Sequence, residues 1–157
     1  MMKTLSELIG PDQILLPFEA DSKEEALEEL VRFLIEGIGK PDLEETVRAG
    51  IWAREREIST GIGRGIAIPH AELDADIEPA AVMAVSPGGV PFDALDSEPV
   101  HIFFLLICSN LDPNFRLGVL SRLSGLLGKR EIRHRLREAP SPEAAARIIE
   151  EYEGKDS

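Results

Sequence analysis

The chain has one cysteine, one tryptophan and one tyrosine among 157 residues, and only 5% of its residues are aromatic. A single thiol excludes an intrachain disulfide framework, and Cys108, at the end of the apolar run Val100–Cys108, reads as a small core residue. Basic charge is also scarce. Lys and Arg number 17 against 29 Asp and Glu, a formal net charge of -12. That balance repels a phosphate backbone, so nucleic-acid binding is not expected, while a basic protein partner would be steered inward. No run approaches the ~20 apolar residues of a membrane span, and Met1–Glu7 lack the apolar core of a signal peptide. A cytoplasmic protein without membrane insertion is expected. The three histidines, His70, His101 and His134, have no second ligand at H-x-H, H-x-x-x-H or H-x-x-E spacing, so neither a metal nor another cofactor is expected. The G-x-S-x-G nucleophile elbow and the G-x-x-x-x-G-K-[ST] phosphate loop are absent as well, which removes the serine-hydrolase and P-loop readings.

What is present is one ordinary domain's worth of apolar sequence, 43% of the chain, assigned to 1–153 with 154–157 as a frayed tail. Ser22 and Glu25 have capping-box spacing, and Ala26, Leu27, Leu30, Val31, Leu34, Ile35 and Ile38 then recur at helical spacing. Asp42 is placed to cap a second helix, with Leu43, Val47 and Ile51 as its apolar stripe and Arg54–Glu57 near its end. Ala80–Ser86 and Val100–Cys108 read as strands separated by Pro87, Gly88, Gly89 and Pro91, the second of them central in a sheet. Pro113 opens a long helix with Leu117, Leu120, Leu123, Ser124 and Leu127 on one face. A short helix over 131–138 and a last one from Ser141, burying Ala145, Ile148, Ile149 and Tyr152, complete the pattern. The alternation predicts an α/β fold, a sheet of four or five strands flanked by helices.

The chemistry concentrates in Ser59–Ala71. Gly61, Gly63 and Gly65 allow positive φ and close backbone approach, and Gly65–Ile68 reads as a very short strand that Pro69 should end, leaving His70 at its exit. A dinucleotide fingerprint follows a strand and opens a helix, whereas this loop follows a helix and leads into a strand. What remains is nucleophilic chemistry at an imidazole. Neutral histidine attacks phosphoryl groups, and the product needs N–H donors and fixed cations. The loop Thr60, Gly61, Gly63, Arg64 and Gly65 is the expected source of donors. Arg54, Arg64 and Arg116 are the expected cations, and a nearby guanidinium also lowers the imidazole pKa. Each arginine has an alternative reading: Arg54 paired with Glu55 or Glu57, Arg64 a solvated loop residue, Arg116 a surface position. His101 reads as structural or edge-exposed and His134 as solvated.

These residues resemble the IIA components of the fructose, mannitol and nitrogen-related branch of the bacterial sugar phosphotransferase system. The resemblance rests on Arg54-Glu55, Ser59–Gly63, Gly65–His70, Pro91-Phe92, Val100–Ile107 and Leu120–Leu123, and it extends over Lys3–Tyr152. It implies the mannitol-type IIA fold in a free-standing protein without a fused IIB or membrane domain. It also implies that phospho-HPr, or a nitrogen-branch homologue of HPr, phosphorylates His70. The phosphoryl group then passes to a IIB-type cysteine or acts as a regulatory signal, and the arginine matching Arg54 supports the phosphorylated histidine. Transport members carry a second active-site histidine where this chain has Arg116, which keeps its charge but cannot shuttle a proton. Transport and regulation both stay open, as does a pure interaction module of the same fold. An apolar docking patch near His70 is expected, with Leu73, Phe92 and Phe115 as candidates that are equally core residues.

Overall fold

The computed structural model describes residues 4–155. Its centre is strand β6 (Val100–Ser109), which the unbroken apolar run of the sequence predicts. Side chains alternate across a strand. Ile102, Phe104, Leu106 and Cys108 accordingly enter one apolar layer, and Phe103, Leu105 and Ile107 the other. The first layer packs against helices α1 (Leu5–Leu8), α4 (Pro113–Leu127), α5 (Arg130–Arg137) and α6 (Pro142–Lys155). The second packs against α2 (Lys23–Ile38) and α3 (Glu44–Glu57). Cys108 lies in the core, and burial pushes its thiol pKa up to about 11.

The sheet is mixed and has six strands. β1 (Ile14–Leu15) runs parallel to β5 (Ala80–Val90), which is antiparallel to β6. On the other side of β6 lie two short strands in succession, β3 (Ile66–Ala67) and β4 (His70–Leu73), both parallel to it. β2 (Gly61–Gly63) closes an antiparallel hairpin with β3. The sequence count of four or five is low because strands such as β1, with two residues, are too short for any periodicity to show.

Four further expectations change. Strand β5 does not end at Ser86; it passes Pro87, Gly88 and Gly89 through a register shift and pairs again at Val90, opposite Val100. A bulge tolerates a proline that a regular ladder would not. Asp42 is not the cap of α3, since Pro41–Leu43 form a 3-10 turn before it and the helix begins at Glu44 without a side-chain cap. The buried face of α4 is Phe115, Val119, Leu123, Leu126 and Leu127; Leu117 is exposed and Leu120 only partly buried. Finally, α6 runs through Gly154 to Lys155, so the part of the expected tail beyond it lies outside the described residues.

Candidate functional site

Pro69 lacks the N–H that would continue β3, but its carbonyl accepts from the Leu106 amide at 3.0 Å, so the chain resumes pairing with β6 at once. His70 therefore begins strand β4, opposite Leu106, rather than standing free beyond a strand. Period-2 alternation sends Ala71 and Leu73 into the α2/α3 layer and puts His70 and Glu72 on the face that α4 covers. His70 is 8% exposed. Its Nδ1 lies 2.8 Å from the Ile68 carbonyl, which can only accept, so Nδ1 carries the proton. Nε2 is then the nitrogen with the lone pair.

The surroundings keep that ring neutral. Burial lowers the His70 pKa below its ordinary 6.5, and the charges of Arg54 and Arg116 push the same way, against the opposing effects of the Ile68 carbonyl and Glu72. Arg54 is in the last turn of α3, and its Nη1 donates to the Ile58 carbonyl at 2.8 Å, where a helix C-terminus leaves acceptors unpaired. It does not pair with Glu55 or Glu57. Arg116, in the first turns of α4, donates Nε to Glu72 in a half-buried ion pair. The structure thus brings His70, Arg54 and Arg116 within electrostatic reach and adds a carboxylate, Glu72, that the sequence reading did not single out. The signal was its spacing of two from His70 on the same strand face.

The glycine loop is engaged elsewhere. The carboxylate of Glu55, buried at the foot of α3, accepts from the Thr60 amide at 2.7 Å and from the Thr60 hydroxyl at 2.6 Å, and Lys23 approaches it at 3.6 Å. The Gly61 amide donates to Ser59 Oγ at 3.0 Å, and the Arg64 amide donates to Asp96 at 3.0 Å. The Gly65 carbonyl accepts from the amides of His101 and Ile102. A Cβ at Gly61 would sit 2.8 Å from that of Ala94, so close packing dictates this glycine. Arg64, with φ of 58°, occupies the hairpin tip between Gly63 and Gly65, which also have positive φ. In this structure the amides of Thr60, Gly61 and Arg64 thus donate to Glu55, Ser59 and Asp96. Glu55 was read as a possible partner of Arg54 and as part of the family motif, not as a buried acceptor, although it falls four residues after Ile51 and eight after Val47, on the buried stripe of α3.

Leu73, Phe92 and Phe115 are buried core residues. Among the described residues, the large exposed apolar side chains are Ile58, Ile62, Leu95, Leu111 and Leu117. Two of them adjoin the arginines: Ile58 supplies the carbonyl that holds Arg54, and Leu117 follows Arg116. His101 is half-buried with Nδ1 2.8 Å from the Ser86 carbonyl, and His134 is exposed on α5.

The family model of the phosphoenolpyruvate-dependent sugar phosphotransferase system, EIIA 2, matches residues 7–152. The chain belongs to this EIIA family. It is 38% identical over 149 residues to the fructose-specific EIIABC component of Bacillus subtilis, covering 95% of this chain but 23% of that much longer protein. It is 32% identical over 148 residues to a nitrogen regulatory protein of Pseudomonas aeruginosa, covering 94% of this chain and 96% of the relative. The crystal structure of nitrogen regulatory protein IIA-Ntr from Neisseria meningitidis superposes with a TM-score of 0.84 at 30% identity, over 92% of this chain and 98% of that one. Family membership carries a phosphoryl-carrier or regulatory role within a phosphotransfer relay. No helix among the described residues is long and apolar enough to cross a membrane.

Proposed function

We propose that this EIIA domain accepts a phosphoryl group on Nε2 of His70 from phospho-HPr or a nitrogen-branch homologue of HPr. The observation that carries this reading is the bond between Nδ1 and the Ile68 carbonyl, which leaves Nε2 as the attacking nitrogen. The lone pair of Nε2 forms the new N–P bond as the donor's own N–P bond breaks, and the donor imidazole keeps that electron pair. Arg54 and Arg116 then lie near an anion instead of a neutral ring, so their effect strengthens as the phosphoryl group arrives. Glu72 holds Arg116 in place and tempers its charge. The exposed Ile58 and Leu117 offer apolar contact for a docking partner.

Onward transfer is either to a IIB-type cysteine thiolate, which reverses the geometry, or replaced by a regulatory contact that depends on phosphorylation. The fructose-specific relative and the nitrogen regulatory relatives support the two outcomes respectively. Incubation with phosphoenolpyruvate, enzyme I and HPr should place acid-labile phosphate on the protein, and H70A should remain unlabelled. An unlabelled wild-type protein would leave a pure interaction module of the same fold. If label appears, its discharge by added IIB domains separates transport from regulation.

A further inference from the structure

We propose that the cleft of about 450 Å³ lined by Arg64, Arg130, Arg133 and Arg137, together with His101 and His134, binds a small anion carrying two or more phosphate groups. It contains none of His70, Arg54, Arg116 or Glu72. Its size falls in the usual range for small-molecule sites. Residues 130, 133, 134 and 137 follow i, i+3, i+4, i+7 spacing and share one face of α5, facing the tip of the β2–β3 hairpin and the start of β6. Four guanidinium groups thus converge in a chain whose net charge is -12.

The lining also carries the carboxylates Asp96 and Glu98, two against four arginines, and among the described residues neither forms an ion pair with an arginine. Asp96 accepts from the amides of Arg64 and Glu98, which holds its pKa down and commits it to the loop. Elsewhere Arg48, Arg116 and Arg135 are all ion-paired. Among the described residues Arg64, Arg130 and Arg137 form no ion pair, and Arg133 donates only to the Leu127 carbonyl. Burial lowers the Arg133 pKa, and the nearby charges of Arg64 and Arg130 lower it further. Guanidinium forks match phosphate oxygens in pairs. Seven residues of helix span roughly 10 Å, more than one phosphate reaches, which is why at least two are expected.

The probe is inorganic tripolyphosphate titrated into the intact protein at low salt and followed by the ring resonances of all three histidines. Tripolyphosphate should bind at least tenfold tighter than inorganic phosphate and shift His101 and His134 but not His70. The double variant R130A/R137A should weaken binding at least tenfold, as should R64A on a separate element, whereas R56A, which removes one charge from α3 as R64A does from the hairpin, should not. Absence of binding, equal losses in R56A, or shifts centred on His70 would overturn the proposal. Equal affinity for a glutamate-rich peptide of matched charge would overturn the assignment to phosphate.

Discussion

The two ends of the segment from Ser59 to Leu73 look alike in sequence, both short, glycine- or proline-punctuated and apolar, yet their polar atoms have opposite fates. At the glycine end, the Thr60, Gly61 and Arg64 amides all have partners, the Gly65 carbonyl has two, and Glu55 and Asp96 lock the hairpin from outside. At the histidine end one imidazole nitrogen is fixed by Ile68 and the other is left with its lone pair, within the electrostatic reach of two arginines. The glycine end is thus tied into the fold, whereas the histidine end keeps a nitrogen available for the proposed chemistry.

The largest effect expected from breaking this division is loss of all phosphoryl uptake in H70A while the protein still folds cooperatively, measured by label transfer and by calorimetry. At the other end, E55A should leave the buried Thr60 amide and hydroxyl unpaired and cost about 3 kcal/mol of stability, roughly 10 °C in melting temperature for a domain of this size. A stability loss under about 1 kcal/mol would mean that water replaces the carboxylate there.

G61A should be milder. Its Cβ would meet Ala94 Cβ at 2.8 Å and Cα at 2.9 Å, an overpacking that costs about 1–3 kcal/mol. Uptake per folded molecule should stay the same, and selective loss of uptake at full stability would instead assign the glycine a role at the phosphate.

Smaller still are shifts of the His70 titration, read by NMR. Arg54 lowers the pKa, so R54A should raise it; Glu72 raises it, so E72Q should lower it. Shifts of the same sign in both variants would contradict the electrostatic picture. Because the folded pKa is below the ordinary 6.5, the unfolded chain binds more protons as pH falls through that value. His70 thus contributes to a stability that is full above pH 6.5 and declines below it. The smallest change is expected for R116H, which should alter uptake, onward transfer or phosphate lifetime while leaving the fold intact.

The long elements were legible because burial repeats along them: α2, β6 and α6 show their periods directly. The two-residue strand β1 was not, since it owes its existence to the edge of β5 rather than to any pattern of its own, whereas β3 showed within the short segment Gly65–Ile68. In the site, His70 stood out through its neighbours Gly65–Pro69, and Arg54 and Arg116 could be named as cations. Their partners could not. Ile58 acts through its carbonyl, which any residue would supply, and Glu72 pairs with Arg116 across 44 residues of sequence. Glu55 was hidden because a carboxylate on a buried stripe looks like one more surface charge until its acceptor role is visible.

The central claim, that Nε2 of His70 is the attacking atom, is tested most directly by long-range proton–nitrogen correlation spectroscopy on the phosphorylated, nitrogen-15-labelled protein. Phosphate attached at Nε2, with Nδ1 still protonated toward Ile68, is the predicted result. Phosphate at Nδ1, or on any residue other than His70, would contradict the account.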